Sequence, residues 1–115
     1  LLRKIKGDAR IVLISDAFVS DGPTPPGYDG VTDINFDSTG EIAGTRLTLD
    51  AVCRNMMLHT GCSPVDVFRF AATNPANLLH RPDLGRIARG AQANLVVVDP
   101  WLHVKHVFLK GELFV

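Results

Sequence analysis

The chain has 115 residues, 46% of them hydrophobic and 7% aromatic, and its 12 basic residues balance 12 acidic ones to a formal net charge of zero. At this length it is at most one ordinary domain, and the balance excludes a disordered tail, a basic nucleic-acid surface and a polybasic membrane patch. A small molecule or another protein surface is the expected partner, with no nucleic acid and no membrane, since no apolar run approaches the roughly 20 residues that a span needs.

The elements follow in chain order. Leu1-Leu2-Arg3-Lys4-Ile5-Lys6-Gly7 reads as the last turn of a helix, with basic residues at its end and Gly7 as its stop. Its charges interrupt the apolar residues too early for a signal-peptide core, and no initiator Met precedes them, so a piece of a longer protein is expected. Ile11-Val12-Leu13-Ile14 is uniformly apolar, the pattern of a parallel strand buried on both sides. It ends in Ser15-Asp16-Ala17. A carboxylate at the end of such a strand makes Asp16 a candidate catalytic acid or base, with a turn-capping role as the alternative.

Residues 18–30 hold Pro23, Pro25, Pro26, Gly22, Gly27 and Gly30, which exclude helix and predict a long loop of the kind that often binds ligands. Residues 31–37 alternate apolar with polar, turn at Ser38-Thr39-Gly40 and resume at Glu41-Ile42-Ala43 as a hairpin. Thr48 caps a predicted helix with an apolar stripe at Leu49, Val52, Cys53 and Met56, ended by Gly61. Ser63-Pro64-Val65-Asp66 starts a second helix, and Asn74-Pro75 repeats the cap-plus-proline device for a short third one that ends near Leu79. Residues 84–90 are turn material. Residues 94–99 predict a buried strand, 104–109 another, Lys110-Gly111-Glu112 a turn and Leu113-Phe114-Val115 a last strand.

Motifs for chemistry are few. Asp33, Asn35 and Asp37 imitate the start of a calcium loop, but Ser38 and Gly44 stand where its glycine and its bidentate glutamate belong. His59, His80, His103 and His106 are dispersed, with no His-x-His and no helical pair, so they predict no metal site. Cys53 and Cys62 have no His-Asp partners and form no disulfide framework; they fit a reducing, cytoplasmic setting. Gly40-Glu41-Ile42-Ala43-Gly44-Thr45, small residues just ahead of a helix, reads either as a cradle of backbone amides for a polar ligand or as a tight turn.

Leu13-Ile14-Ser15-Asp16-Ala17, Ile42-Ala43-Gly44-Thr45-Arg46-Leu47-Thr48-Leu49 and Ala71-Ala72-Thr73-Asn74-Pro75-Ala76 together resemble the C-terminal third of the N-acetylglucosamine-6-phosphate deacetylases, in the amidohydrolase superfamily. The stretch 84–99 and the closing Val107-Phe108-Leu109-Lys110-Gly111-Glu112 resemble the superfamily's tail, with Asn94 where Asp is commoner. The resemblance implies an α/β fold: residues 1–90 as the C-terminal portion of a metal-dependent (β/α)8 barrel, and 91–115 as part of a small flanking β-sandwich. It implies hydrolysis of N-acetylglucosamine 6-phosphate to glucosamine 6-phosphate and acetate, with Asp16 as the proton shuttle and Ile42, Ala43 and Gly44 as substrate contacts made largely through backbone. It further implies a divalent metal, zinc or iron, a homodimer at full length, and the remainder of the barrel as a partner. The metal ligands of that family, a glutamate and two histidines on earlier strands, have no counterpart here and are expected upstream, so the segment alone is expected to be inactive. The alternatives are another amidohydrolase, dihydroorotase-like or a cyclic amidase, and a non-catalytic barrel remnant that pairs its edges with another chain.

Overall fold

Two antiparallel sheets and a helical layer form the computed structural model, which describes residues 1–19 and 22–115. The predicted loop over residues 18–30 therefore includes two positions, Ser20 and Asp21, that lie outside the described residues. No helix among the described residues is long and apolar enough to cross a membrane.

Helix α1 (Leu2–Lys6) stops at Gly7 as its sequence predicts, the Gly7 N–H donating to Arg3 O at 3.0 Å. Arg3 grips Asp8 through Nε (2.7 Å) and Nη2 (2.9 Å), reaches Asp66 at 3.2 Å, and lies over the Phe70 ring at 5.6 Å from its centroid. The residues that follow, predicted as a parallel strand buried on both sides, form no laddered strand among the described residues. Leu13 donates to Phe70 O at 3.0 Å, and Ile11 and Leu13 pack on the core, but Ile14 is 71% exposed. One side of this segment meets a helix, and its only strand contact among the described residues is an isolated parallel bridge between Ala17 and Thr45.

Strands β1 (Ile34–Phe36) and β2 (Ile42–Thr45) form the predicted hairpin. Asp37 builds its turn, Oδ1 accepting from the Thr39 N–H (2.8 Å), the Thr39 hydroxyl (2.6 Å) and the Glu41 N–H (3.0 Å), and these donors, led by Thr39, hold the acid below its ordinary range. The loop folds back on the hairpin, Tyr28 meeting Phe36 edge-on at 5.0 Å between centroids.

Helix α2 (Leu49–Thr60) closes on left-handed Gly61 (φ 68), although Thr48 makes no side-chain cap. Ser63 and Asp66 form a complete capping box for α3 (Pro64–Phe68). The predicted third helix is a correction: α3 continues through a π turn (Arg69–Thr73) into α4 (Asn74–Leu78), and Asn74 sits inside the rod in αR geometry. Pro75 has no N–H to give, and its ring crowds the carbonyl four residues back, so the wider turn before it absorbs the break without ending the helix. Freed from capping, the Asn74 amide donates to Asp8 O (2.7 Å) and Ile11 O (2.6 Å), tying the segment before Asp16 to the rod.

The tail forms an antiparallel sheet in the order β3 (Leu95–Val98), β4 (Val104–Leu109) and β5 (Glu112–Leu113). The last turn is tighter than predicted. Lys110 (φ 54) and Gly111 (φ 88) make it, so Glu112 already belongs to the strand. Strand β3 is not buried as predicted within the described residues: Val96 and Val97, which point to opposite faces of the sheet, are 57% and 45% exposed.

The core joins the layers. Cys53, Cys62, Val67, Phe70 and Leu102 are buried together, with Ile11, Leu13, Met56, Met57 and Val98 packed on them. Both thiols are free, and burial pushes that of Cys53 up. Leu102 enters the core from a left-handed backbone (φ 63) imposed by the turn at Asp99. Burial works against the charge of Asp99, but the His103 N–H and ring, Lys105 and the Trp101 N–H outweigh it and lower the acid to about 2.

Candidate active site

Asp16 stands where the extended segment turns toward the hairpin. Its backbone is left-handed (φ 51), a conformation that Asp tolerates better than most residues and one that collects at functional sites. The Asp16 carbonyl accepts from the Thr45 N–H at 3.1 Å, and the Ser15 carbonyl accepts from the Thr45 hydroxyl at 2.6 Å. The Ala17 N–H is taken by Ser15 Oγ at 3.3 Å, and the Phe18 N–H reaches Thr45 O at 3.4 Å. Thr45 thus fastens the backbone around the acid while Asp16 itself stays exposed. Among the described residues Asp16 enters no ion pair.

The hairpin brings the predicted substrate residues alongside it. Asn35 pairs with Gly44 and Phe36 with Ile42, so Ala43 is the extra residue of a bulge, with no partner opposite. Bulges of this kind release backbone from the ladder and recur beside active sites. Gly44 permits the close approach: a Cβ there would lie 2.7 Å from the Asp16 carbonyl oxygen and 3.1 Å from the Phe18 ring. The structure therefore sets Gly44 against Asp16, places exposed Ala43 next to it, and leaves Ile42, 60% exposed, farther along the hairpin opposite Phe36. Of the two readings of this stretch, the tight turn is not what forms: residues 42–45 are a strand with a bulge.

An open cleft of about 400 Å³ lies beside this junction, lined by Ala17, Phe18, Val19, Asn35 and Arg46. The last two are absent from the residues predicted for the site. Period-two alternation places Asn35 with the polar, outward residues, yet it is 1% exposed. Its amide donates to Phe18 O and to Thr45 O (2.8 Å), and its Oδ1 accepts from Arg46 Nε at 2.8 Å. The available signal was chemical: a primary amide flanked by Ile34 and Phe36 is a side chain that backbone carbonyls can satisfy in a buried place.

The resemblance implies a divalent metal, which needs several donor side chains gathered in one place. No three His, Cys, Asp or Glu side chains gather among the described residues to hold a metal ion. The described residues by themselves do not fit one, and what they offer is an exposed carboxylate positioned beside a released backbone.

Similar proteins share this arrangement of elements. An N-acetylgalactosamine-6-phosphate deacetylase of Escherichia coli is 34% identical over 116 residues, covering 90% of this chain and 30% of its own length. An N-acetylglucosamine-6-phosphate deacetylase of Lysinibacillus sphaericus is 30% identical, covering 96% of this chain and 30% of its own length. A solved N-acetyl-D-glucosamine-6-phosphate deacetylase from Mycobacterium smegmatis, in complex with N-acetyl-D-glucosamine-6-phosphate, superposes with a TM-score of 0.72 at 30% identity over 97% of this chain and 32% of that one. The chain thus spans about a third of the length of these relatives. The pattern of the amidohydrolase family matches residues 5–114, and the chain belongs to that family.

Proposed function

We propose that these residues form the C-terminal part of an amino-sugar-phosphate deacetylase, which converts N-acetylglucosamine 6-phosphate and water to glucosamine 6-phosphate and acetate. In this reading residues 1–90 complete a (β/α)8 barrel and 91–115 belong to a small β-sandwich, within a cytoplasmic homodimer. The observation that carries it is the approach of Gly44 to Asp16, which places a bulged, exposed backbone beside an exposed carboxylate. The deacetylase relatives and the family membership support the reaction class.

In the proposed chemistry, Asp16 accepts a proton from the water whose oxygen bonds to the acetyl carbon. It returns that proton to the sugar nitrogen as the carbon–nitrogen bond breaks, so acetic acid and a neutral amine form, and the acid's remaining proton passes to the amine to give acetate and an ammonium at neutral pH. Ile42, Ala43 and Gly44 orient the sugar through their backbone. Amidohydrolases are generally metal-dependent; in this reading zinc or iron would supply Lewis acidity and would be held by residues other than the described ones.

Acetate release by the complete polypeptide in which these 115 residues occur tests the proposal, with N-acetylglucosamine 6-phosphate, its C4 epimer and a panel of cyclic amides compared. Release from an amino-sugar phosphate is the expected result. Ring opening of a cyclic amide with no acetate release would assign the chain to another amidohydrolase.

A further inference from the structure

We propose that Asn35 is a positioning residue for Asp16, a role that rests on the deacetylase reading. Asn35 is 1% exposed and every polar group of its side chain is engaged. Its two N–H donors serve Phe18 O and Thr45 O, so only one orientation of the amide is possible: the reverse would set oxygen against two carbonyls. Those carbonyls belong to the two halves of the site. Phe18 lies two residues beyond Asp16, and Thr45 directly follows Gly44.

The bond between Phe18 N–H and Thr45 O is long, at 3.4 Å, and long bonds hold weakly. Beside the direct bonds of Thr45 to Asp16 O (3.1 Å) and Ser15 O (2.6 Å), the buried amide supplies a further bridge, from the end of the acid's turn at Phe18 to the substrate strand at Thr45. The guanidinium of Arg46 fixes the third corner, its Nε donating to Asn35 Oδ1 at 2.8 Å. A fully satisfied polar network of this kind specifies one arrangement. Its geometric consequence falls on Asp16, whose left-handed backbone is bonded to Thr45, one of the two residues that Asn35 joins.

The test uses the complete polypeptide. Asn35→Leu keeps similar volume and removes both donors; it is expected to lower kcat for N-acetylglucosamine 6-phosphate on the order of 100-fold, the penalty of a displaced catalytic group, with little change in KM. In an Asp16→Asn background the same change is expected to cost nothing further, because Asn35 acts through Asp16. Losses that multiply in the double variant would overturn the proposal. Amide exchange provides an arm independent of turnover. Faster exchange at Phe18 and Thr45 with α2 unchanged is expected, whereas equal loosening of α2 would show general destabilisation and overturn it. If the unaltered polypeptide releases no acetate, the deacetylase reading fails, and the exchange arm still decides whether Asn35 ties the two segments.

Discussion

Val67 and Phe70 have no exposed surface, and around them Cys53, Cys62 and Leu102 are buried by contributions from α2, the α3–π–α4 rod and the Asp99 turn. Around Asp16 the neighbours are different in kind: Ala17, Phe18 and Val19 are exposed, and order comes from Thr45, Asn35 and a glycine that admits close backbone contact. The contrast follows from what each region has to do. Burial gives the helical side its rigidity with no demand for directional bonds. The proposed proton-transfer role of Asp16 needs a carboxylate in water, and the chain fixes the backbone of Asp16 while its side chain is exposed.

Substitutions on the two sides separate these modes of support. Phe70→Ala removes a fully buried ring and the seat of Arg3, and should cost about 3–5 kcal/mol in chemical denaturation. A loss below about 1 kcal/mol would contradict a burial-held core. Gly44→Ala drives a methyl group toward the Asp16 carbonyl and should cost about 1–3 kcal/mol. Its effect on amide exchange should centre on residues 16–18 and spare α2, and an effect spread evenly over both regions would break the comparison. Ser63→Ala removes a cap from the helical side alone, with an expected loss of about 1 kcal/mol and unchanged exchange at Thr45.

The smallest effect is in acid. The folded-state value of Asp99, about 2, lies below its ordinary 3.8, so the acid contributes stability above pH 4 and loses it as pH falls through 2. Asp8, Asp37, Asp50, Asp66 and Asp83 are lowered too, so the wild-type acid slope is shared among them. Asp99→Asn should remove only its own part of that slope, read as a smaller fall of the unfolding free energy from chemical denaturation between pH 5 and about 2.

Local rules carried the helix ends and turns. Gly7, Gly61, the Ser63–Asp66 box and the hairpin turn all stand where neighbouring residues predict them, because each depends on a few positions in the chain. Burial was less legible. Residues 11–14 and β3 are apolar enough for interior strands, but what covers a strand is a tertiary fact that an apolar run does not encode. At Asn74-Pro75 a cap signature met a helix able to widen instead of stop.

The candidate site divides in the same way. Asp16 and the stretch 42–44 were accessible from residue type, position after an apolar run and resemblance. Their meeting depends on the bulge at Ala43 and on the open face of Gly44, which pairing register decides. Asn35 escaped because alternation assigns polarity to the outside, and its burial is stabilised by Phe18 and Thr45, residues ten or more positions away.

The central claim is that Asp16 moves the proton in amide hydrolysis. Steady-state acetate release from N-acetylglucosamine 6-phosphate by the Asp16→Asn form of the complete polypeptide tests it most directly. The account predicts that kcat falls on the order of 100-fold to 10,000-fold while KM stays nearly constant. Wild-type turnover by Asp16→Asn would contradict it.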